Sequence, residues 1–417
     1  LRNLLISSGI DPTSRGEVSK RLVIPSNAKV DTPRELISTF LRNTPYEYFF
    51  NCSVPFSIPR KVAYEHTHIL GGTGHGKTQL LQQLIYADLE RAQYERRSVV
   101  VIDSQGDLIY KLKQLALFGR NTDRSLYSRF CLIDPSDMEC PVALNIFDIN
   151  RYRIAQYGKV EREKILNGTI ELYENFFGSL LGAELTQKQG VIFKYLARLM
   201  LEIPDANIHT LRDLMDDAEP FIPYMEQLRG SARYFFEREF FDRSFAPTKK
   251  QISKRLWGVL ATPSFERMFA QPTNKVDMFE MLNNGNIILI NTAKDLLKQE
   301  GCELFGRFFL SMISQATMER SVIAEKDRTP TTIYIDEAHE YFDDNIGILL
   351  AQARKMNVGI CAAHQTLDQL SPGLRASFIS NTSTKIVGGV SAKDAHALAS
   401  DMNTTSDFLQ SLKKSPE

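Results

Sequence analysis

Eight consecutive residues, Gly71-Gly72-Thr73-Gly74-His75-Gly76-Lys77-Thr78, fit the phosphate-loop pattern G-x-x-x-x-G-K-[ST] in full. Strand-like His68-Ile69-Leu70 precedes them, and helix-like Gln79-Leu80-Leu81-Gln82-Gln83-Leu84-Ile85 follows. Phosphate chemistry requires that order. Glycines let the backbone approach closely, while loop N–H groups and the positive end of the helix hold the anion. Gly72, Thr73, Gly74, His75, Gly76, Lys77, Thr78 and Gln79 are therefore the expected contacts for ATP. Lys77 is expected to reach the β- and γ-phosphates, and the Thr78 hydroxyl to ligate Mg²⁺. His75 reads as a tolerated filler of the loop rather than a catalytic group.

A second constellation lies far downstream. Thr331-Thr332-Ile333-Tyr334-Ile335 is an apolar strand that runs into Asp336 and Glu337, the Walker B arrangement. Asp336 is expected to hold Mg²⁺ through water. Glu337 is expected to orient and polarise a water for in-line attack on the γ-phosphate. Alone, a strand ending in Asp-Glu is most often a solvated end; coupled to the phosphate loop it becomes chemistry. After Ile360-Cys361-Ala362-Ala363 come His364 and Gln365, and Gln365 is placed to sense the γ-phosphate, whereas His364 fits a structural role equally well. Asp103 closes Val100-Val101-Ile102, where proximity to the nucleotide and capping of the next helix are evenly balanced.

These residues need a scaffold that brings distant segments together. Short β-branched runs alternate with helical segments from His66 to about residue 150, and again from Ile287 to Val387, which predicts a mostly parallel sheet buried on both faces. The expected strands are His68–Leu70, Val99–Ile102, Cys131–Ile133, Ile287–Ile290, Thr332–Ile335, Val358–Cys361 and Lys385–Val387. Between about residues 151 and 271 the alternation stops. Leu166, Ile170, Tyr173, Phe177 and Leu180 recur at helical spacing, as do Ile192, Leu196, Leu199 and Ile203. The expected fold is α/β, a RecA-like P-loop ATPase core in two blocks, 61–150 and 272–417, with an all-helical insertion at 151–271. Residues 1–60, with Pro25, Pro33, Pro45, Pro55 and Pro59, read as a small separate N-terminal module.

The string Asp336-Glu337-Ala338-His339 coincides with the DEAH box of superfamily-two helicases. Those place the box soon after the phosphate loop, whereas here a helical block intervenes and no arginine-rich motif of a second lobe follows. ABC-type ATPases are disfavoured because no LSGGQ-like signature precedes the acidic strand. From His66 to Met402 the chain instead resembles the HerA/FtsK superfamily, specifically the type IV secretion coupling proteins of the TraG/TraD-like group. The resemblance is carried by Val99 to Leu108, with Ser104-Gln105 in place of the family's Pro-His; by Ile133-Asp134-Pro135-Ser136-Asp137-Met138-Glu139-Cys140-Pro141-Val142; and by Ala353-Arg354-Lys355, Ala363-His364-Gln365-Thr366 and Asn381 to Val387. It implies an ATP-hydrolysing homohexamer with sites between subunits and a central channel for DNA. On composition alone Arg354 is a surface charge on a helix. Its match to the family's Arg-Lys motif implies a cation supplied to the neighbour's γ-phosphate.

Bulk properties set limits on partners. Of 417 residues, 50 are Lys or Arg and 50 Asp or Glu, so any contact with DNA must be local. The local candidates are Arg96-Arg97, Lys249-Lys250, Lys254-Arg255 and Lys413-Lys414, pairs that are most often solvated faces. Five scattered cysteines without a C-x-x-C predict free thiols in a reducing compartment, the cytoplasm. The inner face of the membrane is the alternative, through a segment outside this stretch of chain. Proteins of a secretion channel or of DNA processing are the further expected partners. The leading reading is a DNA-translocating ATPase. The alternatives are an ATPase that recruits or delivers protein substrates to a secretion channel and a soluble HerA-like ATPase of DNA processing or phage defence. A nucleotide-gated ring without turnover is disfavoured because Lys77, Thr78, Asp336 and Glu337 are all present.

Overall fold

Alternation along single strands decides how this chain folds. Val100 and Ile102 face one hydrophobic cluster and Val99 and Val101 the other, and all four are fully buried. A strand that is apolar on both faces must lie inside a covered parallel sheet. The computed structural model describes residues 1–13, 21–30, 32–53, 59–181, 187–342 and 346–412. Pro55, Lys413, Lys414 and the side chain of Leu180 lie outside what it describes.

The sheet has seven strands among the described residues: β1 (Thr67–Leu70), β2 (Ser98–Asp103), β3 (Phe130–Ile133), β4 (Ile287–Asn291), β5 (Thr331–Ile335), β6 (Val358–His364) and β7 (Thr384–Val387). Their order is β3-β4-β2-β5-β6-β1-β7, and every pairing is parallel. All seven expected strands are present. Because all run one way, every strand ends on the same edge, where ligands bind in open α/β sheets.

Two compact units divide the chain, Leu1–Ile58 and Pro59–Glu417. The first holds three short helices, α1 (Arg2–Ser7), α2 (Pro33–Leu41) and α3 (Pro45–Asn51), none of which buries a residue. Thr32 caps α2 by accepting from the Glu35 N–H. In the second unit, α4 (Arg60–Ala63) leads into β1. Next come α5 (Lys77–Ala92) and α6 (Asp107–Lys113), which cover one sheet face. Between Arg151 and Phe269 the regular elements among the described residues are all helices: α7 (Arg151–Ala155), α8 (Lys159–Leu181), α9 (Gln187–Glu202), α10 (Ile208–Asp216), α11 (Ile222–Met225), α12 (Gly230–Arg238), α13 (Ala246–Leu260) and α14 (Pro263–Phe269). The stripe residues Ile170, Tyr173, Phe177, Leu196, Leu199 and Ile203 are buried there, in a cluster continuous with Val100 and Ile102 of the sheet. Then follow α15 (Met278–Asn284), α16 (Lys294–Glu319), α17 (Ile346–Gln352), α18 (Pro372–Asn381), α19 (Ala392–Ala399) and α20 (Ser406–Ser411). Among the described residues no helix is long and apolar enough to cross a membrane.

One ion-pair cluster ties the helical block to the sheet layer. Arg153 Nε donates to Glu319 at 2.8 Å and its Nη1 to Asp277 at 2.5 Å, while the Tyr157 hydroxyl donates to Glu319 at 2.9 Å. Glu319 is only 4% exposed, so removing Arg153 leaves a buried carboxylate without its counter-charge, held by the Tyr157 hydroxyl. Arg153→Met is expected to lower the free energy of unfolding by about 3 kcal/mol. Arg153→Met/Glu319→Gln should recover much of that loss, as measured by denaturant unfolding. Equal destabilisation by the single and double variants would show that the pair does not carry the contact.

Candidate nucleotide site at the strand ends

The phosphate loop occupies the turn from β1 to α5. Gly74 and Gly76 have φ of 79° and 77°, the left-handed region that glycine enters without a Cβ penalty, and Gly76 caps a helix of 16 residues. Lys77 is buried, and its ammonium makes one long hydrogen bond of 3.4 Å to the Gly72 carbonyl, which leaves it donors to spare. Thr73 and Gly74 are exposed, as is Gln79 in the first turn of α5.

His75 is seated more firmly than a loop filler needs. The Gly389 N–H donates to its Nδ1 at 3.1 Å, and the Gly72 N–H donates to the Gly389 carbonyl at 2.9 Å. A Cβ on Gly389 would lie 2.2 Å from His75 Cε1. The imidazole thus fills a notch made by the Gly388-Gly389 pair after β7, and it fastens the loop to the neighbouring strand. The only sequence signal was a Gly-Gly directly after an apolar run.

The acidic residues reach the loop because β6 alone separates β5 from β1. The Thr78 hydroxyl donates to Asp336 Oδ2 at 2.8 Å, joining positions 258 apart, and Asp336 is buried. A hydroxyl and a carboxylate are hard oxygen ligands of the kind Mg²⁺ takes, so the donor set fits that ion. Glu337 sits in the left-handed region at φ 45° and ψ 47°, a conformation that costs a non-glycine residue on the order of 1–3 kcal/mol. Its Oε1 accepts from Gln365 Nε2 at 3.1 Å. Its Oε2 is buried and has no hydrogen-bond partner among the described residues, 3.5 Å from His339 Nδ1, which also has none among them. Gln365 in turn accepts from the Thr73 hydroxyl at 3.2 Å. One amide therefore spans the phosphate loop and the carboxylate.

The turn after Glu337 is braced from behind. Lys294, at the start of α16, forms an ion pair with the buried Glu340, and the Tyr341 and Thr292 hydroxyls are 2.8 Å apart. No sequence motif marks these residues. Asp103 accepts the N–H groups of Gln105 and Leu108 at 3.2 and 3.1 Å, which is the capping arrangement for α6. Burial pushes its carboxyl up to about 6, the Gln105 N–H opposes this, and the negative charge of Asp336 adds to it. Asp103 thus borders the site while serving the helix. His364 is buried, its Nε2 2.6 Å from His68 Nε2, and burial pushes it down to about 4. It is a neutral core group.

Arg354 stands apart from these residues. It lies in a 3-10 turn, Ala353–Met356, that follows α17 and leads into β6, and its side chain is 63% exposed and paired with Glu65 at 2.7 Å. β6 runs seven residues before it delivers His364 to the site, so the arginine sits about 20 Å away at the opposite sheet edge.

The notch around His75 gives a direct test. Gly389→Ala is expected to displace the imidazole and weaken nucleotide binding by about tenfold, read by titration with a fluorescent ATP analogue. Adding His75→Ala removes the clash and should restore most of the affinity. A Gly389→Ala protein that binds nucleotide normally would mean that the notch does not hold the loop.

Residues 51–150 match a family model described as the type IV secretion-system coupling protein DNA-binding domain. No curated protein sequence matches the chain. Among solved structures, the bacterial conjugative coupling protein TrwB is similar, in an unbound form, over 82% of this chain and 72% of its own at 18% identity and a TM-score of 0.54. TrwB in complex with ADP and Mg²⁺ is similar over 86% and 82% at 16% identity, with a TM-score of 0.58. VirB4 of Thermoanaerobacter pseudethanolicus is similar over 84% of both chains at 15% identity, with a TM-score of 0.53. The chain thus shares the fold of these structures, and its residues 51–150, which include the phosphate loop, are similar to the coupling-protein DNA-binding domain family.

Proposed function

We propose that this chain is an ATPase that binds ATP with Mg²⁺ and couples hydrolysis to movement of DNA, as one subunit of a ring, with six copies as the expected number. The observation that carries this reading is the Thr78–Asp336 hydrogen bond of 2.8 Å, which joins the phosphate loop to the acidic strand end. TrwB structures in complex with ADP and Mg²⁺ and with the ATP analogue ADPNP support the choice of nucleotide and ion. The coupling-protein DNA-binding family match supports DNA as the partner. The division into 1–60, 61–150, 151–271 and 272–417 stands with this proposal as its domain plan.

The chain's own residues then take these parts. Loop N–H groups and Lys77 hold the phosphates, and Thr78 and Asp336 hold Mg²⁺. When bound, Mg²⁺ supplies neutralisation of phosphate charge. Glu337 Oε2, buried and without a hydrogen-bond partner among the described residues, accepts a hydrogen bond from the attacking water, while Gln365 fixes the other oxygen. Lys77→Ala is expected to remove nucleotide binding and hydrolysis together. Glu337→Gln should retain binding and lose hydrolysis by about 10²-fold or more. Near wild-type turnover in Glu337→Gln would place the base elsewhere. DNA should stimulate the wild-type ATPase, with binding that weakens steeply as salt rises. ATPase activity that ignores DNA and answers to a protein partner would favour the protein-delivery reading.

Arg354 lies too far from its own phosphate loop to serve it, yet it is exposed and able to serve a neighbour's. A guanidinium supplied in trans is worth about 10³-fold or more in comparable phosphoryl transfers. Rings mixed from Arg354→Ala and Glu337→Gln subunits should then regain some hydrolysis, because certain interfaces pair an intact Glu337 with an intact Arg354. Full activity in assembled Arg354→Ala rings, or no recovery in verified mixed rings, would exclude the trans role.

A further inference from the structure

Helix α13 carries four basic residues, Lys249, Lys250, Lys254 and Arg255, and no acidic one between Ala246 and Leu260. The helix buries Ile252, Leu256 and Leu260, which turns Lys250, Lys254, Trp257 and Gly258 to the opposite, exposed face at i, i+4, i+7 and i+8. Lys250, Lys254 and Arg255 make no ion pair among the described residues. Lys249 differs, with its ammonium 3.8 Å from the centre of the Phe240 ring, where it anchors the first turn.

Trp257 is the chain's single tryptophan, and it is 53% exposed. The Arg212 guanidinium lies over its ring, 4.7 Å from the centroid, and Asp213 neutralises that guanidinium at 2.7 Å. Arg212 therefore braces one face of the indole and does not add to the surface charge. The next position, Gly258, contributes no side chain, and a Cβ there would meet nothing within 4 Å. The result is a held, half-open aromatic platform beside two unpaired lysines. From Lys250 to Trp257 the helix rises about 10 Å, the span of about three stacked nucleotides of one strand.

We propose that Lys250, Lys254 and Trp257 form a contact surface for an unpaired nucleic-acid strand, in which the lysines take phosphates and the indole stacks on a base. Charge complementarity selects a polyanion. The open ring face selects an unpaired one, since bases stacked within a duplex do not offer their faces to a side chain. The proposal rests on the DNA-handling reading above and adds to it the place of contact and the strand form.

The single tryptophan makes the test clean, because all indole emission comes from Trp257. The full chain is titrated with oligothymidylate and, separately, with a blunt hairpin duplex of the same phosphate content. The single strand is expected to quench the emission and to bind several-fold more tightly than the duplex. Trp257→Ala, followed by anisotropy of a fluorescein-labelled oligothymidylate, should bind about tenfold more weakly, and Trp257→Phe should keep most of the affinity. Lys250→Ala/Lys254→Ala should flatten the slope of log affinity against log salt by about 1.4, two phosphate contacts' worth. All these positions are exposed, so unchanged thermal melts will confirm that the variants fold. Strand binding with silent indole emission, wild-type affinity in Trp257→Ala, or equal quenching by the duplex would overturn this surface and leave the motor reading intact. Failure of the wild-type protein to bind either nucleic acid would overturn the DNA-handling reading, and this proposal with it.

Discussion

The hydrogen bond from Thr78 to Asp336 can exist only in one strand order. Its partners are 258 positions apart, and they meet because β1 and β5 flank the same strand and end on the same edge. Any register slip by one residue would turn Asp336 to the other face of the sheet. The seven-strand frame, with Val99 to Ile102 buried on both sides, therefore acts as a ruler that sets the distance between the phosphate loop and the carboxylates. The helices that cover it supply the apolar burial without which such a sheet would not persist.

Around that contact the site stores constraint rather than slack. Glu337 holds a left-handed backbone, and two sets of side chains keep it there: Gln365 in front, and Lys294 with Glu340, Thr292 with Tyr341 behind. Such strain persists only where the surroundings over-determine it. Gln365 also touches Thr73, so a shift of the phosphate loop would be felt by the carboxylate through one amide. The upward push on Asp103 belongs to the same electrostatics. Gathering carboxylates at a buried edge raises the cost of their charge, and a bound cation offsets that cost.

What the sequence revealed and what it hid follow from how locally each feature is encoded. The inner strands β2, β4, β5 and β6, buried along nearly their whole length, announce themselves as apolar runs, and the partly buried edge strands β3 and β7 were legible from shorter ones. The phosphate loop and the acidic strand end were legible because their chemistry demands fixed residue types at fixed spacing. The Gly388-Gly389 notch, the Lys294–Glu340 brace and the Thr73–Gln365 link were not, since each joins side chains from separate segments whose meeting depends on strand order. Arg354 illustrates a third case. Its residue type and motif were visible, but its position at the edge opposite the phosphate loop appears only once β6 is laid into the sheet.

Charge pairs make the same point more sharply. Arg96-Arg97 and Lys254-Arg255 look alike in sequence, yet their fates are opposite. Arg97 precedes β2 and is buried against Asp88 at 3.0 Å, while Arg96 donates to the Asn283 carbonyl at 2.8 Å, so both are spent on holding the sheet. Lys254 and Arg255 sit on a helix whose other face is buried and whose length contains no acid, so they stay at the surface. A chain with no net charge can present a polyanion site only through such segregation. The long stems of lysine and arginine let the same residue types serve either end, and the element that carries them decides which.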